Sequence, residues 1–135
     1  KMSKSYGNTI TMLEDPATVT KKVRAMPTDP VRVRRTEPGS PDKCPAWQLH
    51  QVYSDADTRE WVKQGCTSAG IGCLDCKQPV IDGVLREQQP MFERAEQYLS
   101  NPNLVKEVVA AGNAKAEQVA RATMQDVKDA MGLGY

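Results

Sequence analysis

Apolar residues recur at three- and four-residue intervals through the last third of the chain, at Val105, Val108, Val109, Ala116, Val119, Ala120, Val127, Ala130 and Met131, with Gly112 in the same register. That is the period of a helix with one apolar face, and the valine and methionine stripe reads as core. Asn101-Pro102 supplies the start, because an Asx side chain accepts from free N–H groups and proline suits the first helical position. Gly132 and Gly134 supply the end. Upstream, Val80, Val84, Met91, Ala95 and Leu99 give a partial apolar face over residues 75–99. Pro79 is tolerable in a first turn of that segment, whereas Pro90 predicts a kink or a break. Shorter helices are predicted over 17–26, after Asp15-Pro16, over 46–53, and over 55–64, where Ser54-Asp55-Ala56-Asp57 offers capping oxygens and acidic charge.

Between these segments the pattern breaks. Pro27, Pro30, Pro38, Pro41 and Pro45 make residues 27–45 an extended connector. Alternation along it would put Arg32 and Arg34 on one side. Residues 1–10, KMSKSYGNTI, read as a mobile polar loop. Gly65, Gly70 and Gly72 mark a turn-rich stretch; Gly70-Ile-Gly72 lacks the third glycine and the strand–helix–strand unit of a dinucleotide loop. No segment alternates convincingly as a strand. The predicted fold is all-α, a helical bundle.

Composition narrows the classes. A chain of 135 residues fits one domain, and 18 Lys plus Arg against 17 Asp plus Glu excludes a globally basic nucleic-acid binder and an acidic tail. No apolar run approaches the roughly 18 residues that span a bilayer, and residues 1–5 do not resemble a signal peptide. The first residue is Lys1 rather than Met, which is expected of a piece cut from something longer.

The four cysteines, Cys44, Cys66, Cys73 and Cys76, are separated by 21, 6 and 2 residues. Two disulfides would suit a secreted mini-protein, which this chain does not resemble. Four thiolates on a metal suit it better, because Cys73-Leu-Asp-Cys76 forms a tight bite and the two single cysteines would clip further segments to it. Zinc and an iron–sulfur cluster both remain open on spacing alone. A closed four-cysteine site of either kind is structural in the first instance.

Lys1-Met2-Ser3-Lys4-Ser5 is a KMSKS signature, which resembles the class I aminoacyl-tRNA synthetases. The further run through Asp15-Pro16, Thr28-Asp29-Pro30, Arg34-Arg35 and Pro38-Gly39-Ser40-Pro41 resembles the tryptophanyl-tRNA synthetase family. Residues 65–77, GCTSAGIGCLDCK, are similar to its bacterial variant with a four-cysteine [4Fe-4S] site, although the first cysteine interval here is one residue shorter. The resemblance implies a cluster on Cys44, Cys66, Cys73 and Cys76, with zinc as the alternative occupant. It also implies a division into residues 1–14, the KMSKS loop and tail of a Rossmann catalytic domain, and residues 15–135, a helical anticodon-binding domain. Lys4, assisted by Lys1, would stabilise charge on the departing pyrophosphate of ATP with Mg, and Met2, Ser3 and Ser5 would complete the nucleotide contact. The paired-His signature of the class cannot be present, since His50 is the one histidine, read as a surface or packing residue. The stretch alone is therefore expected to be inactive. The complete enzyme is implied to be a cytoplasmic homodimer, without membrane contact, that charges tRNA(Trp) with tryptophan.

Divided by segment, the net charge of +1 becomes uneven. Residues 21–43 hold seven Lys/Arg and three acids, and residues 44–135 hold nine and twelve. Arg32, Arg34, Arg35 and Lys43 are thus candidate tRNA contacts, with Lys77 beside Cys76 as another. On this reading Lys43 and Lys77 offset a cluster of net charge −2, and the loop from Cys66 to Lys77 reads an unstacked anticodon base. The competing function is a free-standing, metal-clipped helical module that binds nucleic acid or protein without catalysis.

Overall fold

The structure, a computed structural model, describes residues 2–133, and their regular elements are all helical. Five α-helices follow one another: α1 (Pro16–Ala25), α2 (Pro45–Tyr53), α3 (Ala56–Thr67), α4 (Cys73–Leu99) and α5 (Pro102–Ala130). Short 3-10 turns at Lys4–Tyr6 and Pro41–Lys43 interrupt the loops. The chain divides into two compact units, Lys1–Phe92 and Glu93–Tyr135. Lys1 and Gly134, both assigned roles above, lie outside the described residues.

The helix starts form where capping chemistry puts them. Asp15 accepts from Ala17 N at 2.9 Å and Thr18 N at 3.1 Å, and Pro16 opens α1. Asp55 accepts from Thr58 N at 2.8 Å to open α3, and Asn101 from Leu104 N at 3.3 Å to open α5. In the first unit, Val19 and Val23 of α1 meet Val80, Ile81 and Val84 of α4, with Ile10, Leu49, Tyr53 and Leu85 packed around them. Gly83 lets α2 approach α4: a Cβ there would stand 2.7 Å from the Tyr53 carbonyl oxygen. Gln88 ties the N-terminal segment to α4 by donating to Thr11 O at 2.7 Å.

Of the kink or break expected at Pro90, the break does not occur: α4 runs on to Leu99. The carbonyl that Pro90 leaves without a helical donor belongs to Arg86, an exposed residue where water can satisfy it. The apolar stripe of α5 is not core: none of its residues is buried, and Val108 and Val119 are 56% and 62% exposed. Periodicity encodes a face, not the element that covers it. Among the described residues, no helix is long and apolar enough to cross a membrane.

Candidate metal centre and basic edge

Three segments of the first unit carry the cysteines. Cys44 immediately precedes α2, Cys66 lies in the last turn of α3, and Cys73 and Cys76 occupy the first turn of α4. All four are free and partly buried, and they line one small cavity of about 20 Å³ together with Thr28, Asp29 and Arg32. Among the described residues, no three His, Cys, Asp or Glu side chains stand in the arrangement of a ready-made ion site. The four thiols nevertheless share one cavity.

The surroundings fit a four-thiolate centre. Gly39 donates to the Cys66 carbonyl at 2.9 Å, and a Cβ at Gly39 would lie 2.6 Å from Cys66 Sγ. Only glycine leaves that sulfur its place. Arg32 is buried beside the thiols, with Nη1 3.9 Å from Cys73 Sγ and Nη2 donating to Arg35 O and Ile71 O at 2.8 Å each. Its Nε is buried without a partner. Burial, reinforced by Cys44, Cys66 and Cys73, pushes the Cys76 thiol up to about 12, and burial raises Cys66 against the pull of Arg32. As thiols these groups hold their protons at neutral pH. A metal occupying the cavity must displace them, so binding is linked to proton release.

The connector that carries Arg32 is not extended. Asp29, 5% exposed, accepts from Ser40 N at 2.7 Å and Val31 N at 3.0 Å, and Arg32 N donates to Asp29 O at 3.2 Å. The bonds from Ser40 and Val31 hold its carboxyl below the usual range. The turns they close put Arg32 inside and leave Arg34 exposed, so the two do not share a side. The sequence points to Asp29 only within Thr28-Asp29-Pro30, with no role at this turn. An Asx side chain one residue before a proline in a turn-rich stretch was its available signal.

Lys77 corrects another expectation. It is 3% exposed, and its ammonium donates to Arg24 O at 2.7 Å and Met26 O at 2.5 Å. It ties the end of α1 to α4 and does not face solvent. Burial lowers its pKa against the opposing effect of Cys73, Cys44 and Cys76. Arg32 is likewise committed to the interior.

Arg34, Arg35 and Lys43 are exposed, with Arg35 Nη2 3.8 Å from the Asp75 carboxylate. Arg34 and Arg35 border an open groove of about 380 Å³, shared with Val33, Gly72, Leu74 and Asp75.

His50 is fully buried, which a lone histidine in a short helix did not reveal. Its Nδ1 is 2.8 Å from Ser54 Oγ and its Nε2 is 3.4 Å from Cys76 Sγ. Burial lowers its pKa, so the ring is neutral near pH 7.

At the N-terminus, Lys4–Tyr6 forms an exposed 3-10 turn capped by Ser3, whose Oγ accepts from Ser5 N at 3.2 Å. Ser3 N in turn donates to Asn8 Oδ1 at 2.8 Å. Lys4 and Ser5 face solvent, and Met2 is 40% exposed.

A family model of tRNA synthetases class I (W and Y) matches residues 1–87. The tryptophan–tRNA ligase of Ralstonia nicotianae is 69% identical over the whole chain, which covers 34% of that relative. That of Deinococcus radiodurans is 42% identical over 98% of the chain and 40% of its own length. The fold matches the tryptophanyl-tRNA synthetase of Campylobacter jejuni, solved in complex with ADP and tryptophan, with a TM-score of 0.81 and 25% identity over 98% of this chain and 41% of that one. The chain thus spans roughly a third to two fifths of the length of these relatives. The match over residues 1–87, well over half of the chain, shows the family: the chain belongs to the class I tRNA synthetases of the tryptophan and tyrosine group.

Proposed function

We propose that this chain is part of a tryptophan–tRNA ligase that activates tryptophan with ATP and Mg and transfers it to tRNA(Trp). The observation that carries this reading is 69% identity over the entire chain to a relative of that name. In this reading the exposed turn at Lys4 supplies an ammonium group to the leaving pyrophosphate, assisted by Lys1. Because negative charge grows there as the bond breaks, such a contact favours the transition state over bound ATP. Met2, Ser3 and Ser5 complete the nucleotide side, and the exposed turn leaves room for closure. Arg34, Arg35 and Lys43 form an edge for the anticodon region of the tRNA. The complete enzyme is a cytoplasmic homodimer.

The four thiols hold a [4Fe-4S] cluster in this proposal. The reading is supported by their shared cavity, by the glycine beside Cys66 and by the buried guanidinium beside Cys73. When bound, the cluster supplies a covalent cross-link between three segments and a net charge of −2. Arg32 faces that charge from inside, while Arg34 and Arg35 remain for phosphate.

Charging of tRNA(Trp) by the complete protein tests the ligase reading. Wild type should charge tryptophan and not tyrosine, and Lys4→Ala should lower kcat by roughly 10²–10³-fold, the scale of losing one donor to developing charge. Charging of tyrosine, or an unchanged kcat in Lys4→Ala, would overturn it.

A further inference from the structure

Among the described residues, His50 is the one buried polar side chain touching a cysteine that the proposed function leaves without a role. Its ring makes two polar contacts, one at each nitrogen: Nδ1 with Ser54 Oγ at 2.8 Å and Nε2 with Cys76 Sγ at 3.4 Å. Trp47 leans against the same ring, with centroids 6.2 Å apart and planes inclined by 41°. The backbone fixes Ser54 as well, since its N–H closes α2 on His50 O at 3.1 Å. A neutral imidazole has one donor and one acceptor nitrogen, and the partner of one decides the role of the other. The serine hydroxyl can donate to Nδ1. That leaves the proton on Nε2, aimed at the cysteine sulfur.

A thiol is a weak acceptor and a thiolate a much better one. The contact therefore gains strength when a metal displaces the Cys76 proton into solvent and binds the thiolate. We propose that His50 is a positioning residue for the four-thiolate centre: its Nε2–H donates to the metal-bound Cys76 thiolate, and Ser54 fixes the tautomer that makes this possible. The proposal rests on the cluster reading above. An N–H···S bond draws charge from the sulfur, which raises the reduction potential of an iron–sulfur centre and retards loss of its metal.

The test uses the complete protein, reconstituted without oxygen with ferrous iron and sulfide. The reduction potential is followed by EPR, and retention of iron is measured against a chelator. His50→Leu, which keeps bulk and removes the donor, should shift the potential to more negative values and weaken iron retention roughly 10–100-fold. His50→Gln, whose amide nitrogen reaches toward the place of Nε2, should recover most of the shift, and Ser54→Ala should fall between. A loaded wild type whose potential is matched by His50→Leu and Ser54→Ala overturns the role of His50 and leaves the cluster reading intact. If His50→Leu fails to fold, an unmoved potential in Ser54→Ala overturns it alone. A wild type that takes up no iron overturns the cluster reading, and the proposal with it.

Discussion

Two lysine and arginine positions with the same appeal in the sequence do opposite things in the fold. Lys77 spends its ammonium on the carbonyls of Arg24 and Met26, whereas Arg34 is exposed. Lys77→Met should therefore lower stability by about 1–3 kcal/mol, the scale of stranding buried acceptors, as read by denaturant unfolding. It should leave the tRNA affinity of the folded protein unchanged. Arg34→Ala with Arg35→Ala should do the reverse, weakening tRNA binding and flattening its salt dependence with no loss of stability. Gly39 makes a sharper case. Gly39→Ala puts a methyl 2.6 Å from Cys66 Sγ and should abolish metal uptake, measured as bound metal per chain, while the helices remain. Sequence named the four cysteines because their spacing is a property of the chain. It could not place Arg32, Lys77 or His50, because the depth of a long polar side chain depends on which turn buries it.

At the scale of elements, capping chemistry was the most legible part of the fold. Asp15-Pro16 and Asn101-Pro102 open helices where expected, and the predicted helix over 55–64 extends to Thr67 as α3. The carboxyls of Asp15 and Asp55 are held below their ordinary value of 3.8 chiefly by their bonds to Thr18 and Thr58. A carboxyl lowered in the folded state contributes stability that is fully present above its unfolded pKa. That contribution fades as pH falls through the lowered folded value. Asp15→Ala and Asp55→Ala should thus lower Tm at pH 7, and the differences from wild type should vanish in strong acid. Pro90 inside α4 was less legible, since its cost depends on whether the freed carbonyl at residue 86 is wet, and α4 continues past it.

For the whole molecule, the division into Lys1–Phe92 and Glu93–Tyr135 separates two kinds of readability. The first unit contains its own core and all four cysteines, and there pattern and burial agree at Val80 and Val84. In α5 they disagree: the helical period is correct, but the face it encodes is exposed. Identity as a class I synthetase was legible from Lys1 to Ser5 and from the stretch after it, and residues 1–87 match that family. The central claim is the cluster on Cys44, Cys66, Cys73 and Cys76. Iron and acid-labile sulfide, with EPR of the reduced sample, in anaerobically purified complete protein test it most directly. The account predicts a brown protein with about four irons and four sulfides per chain, both lost in Cys76→Ser. A colourless protein carrying one tightly bound zinc per chain would contradict it.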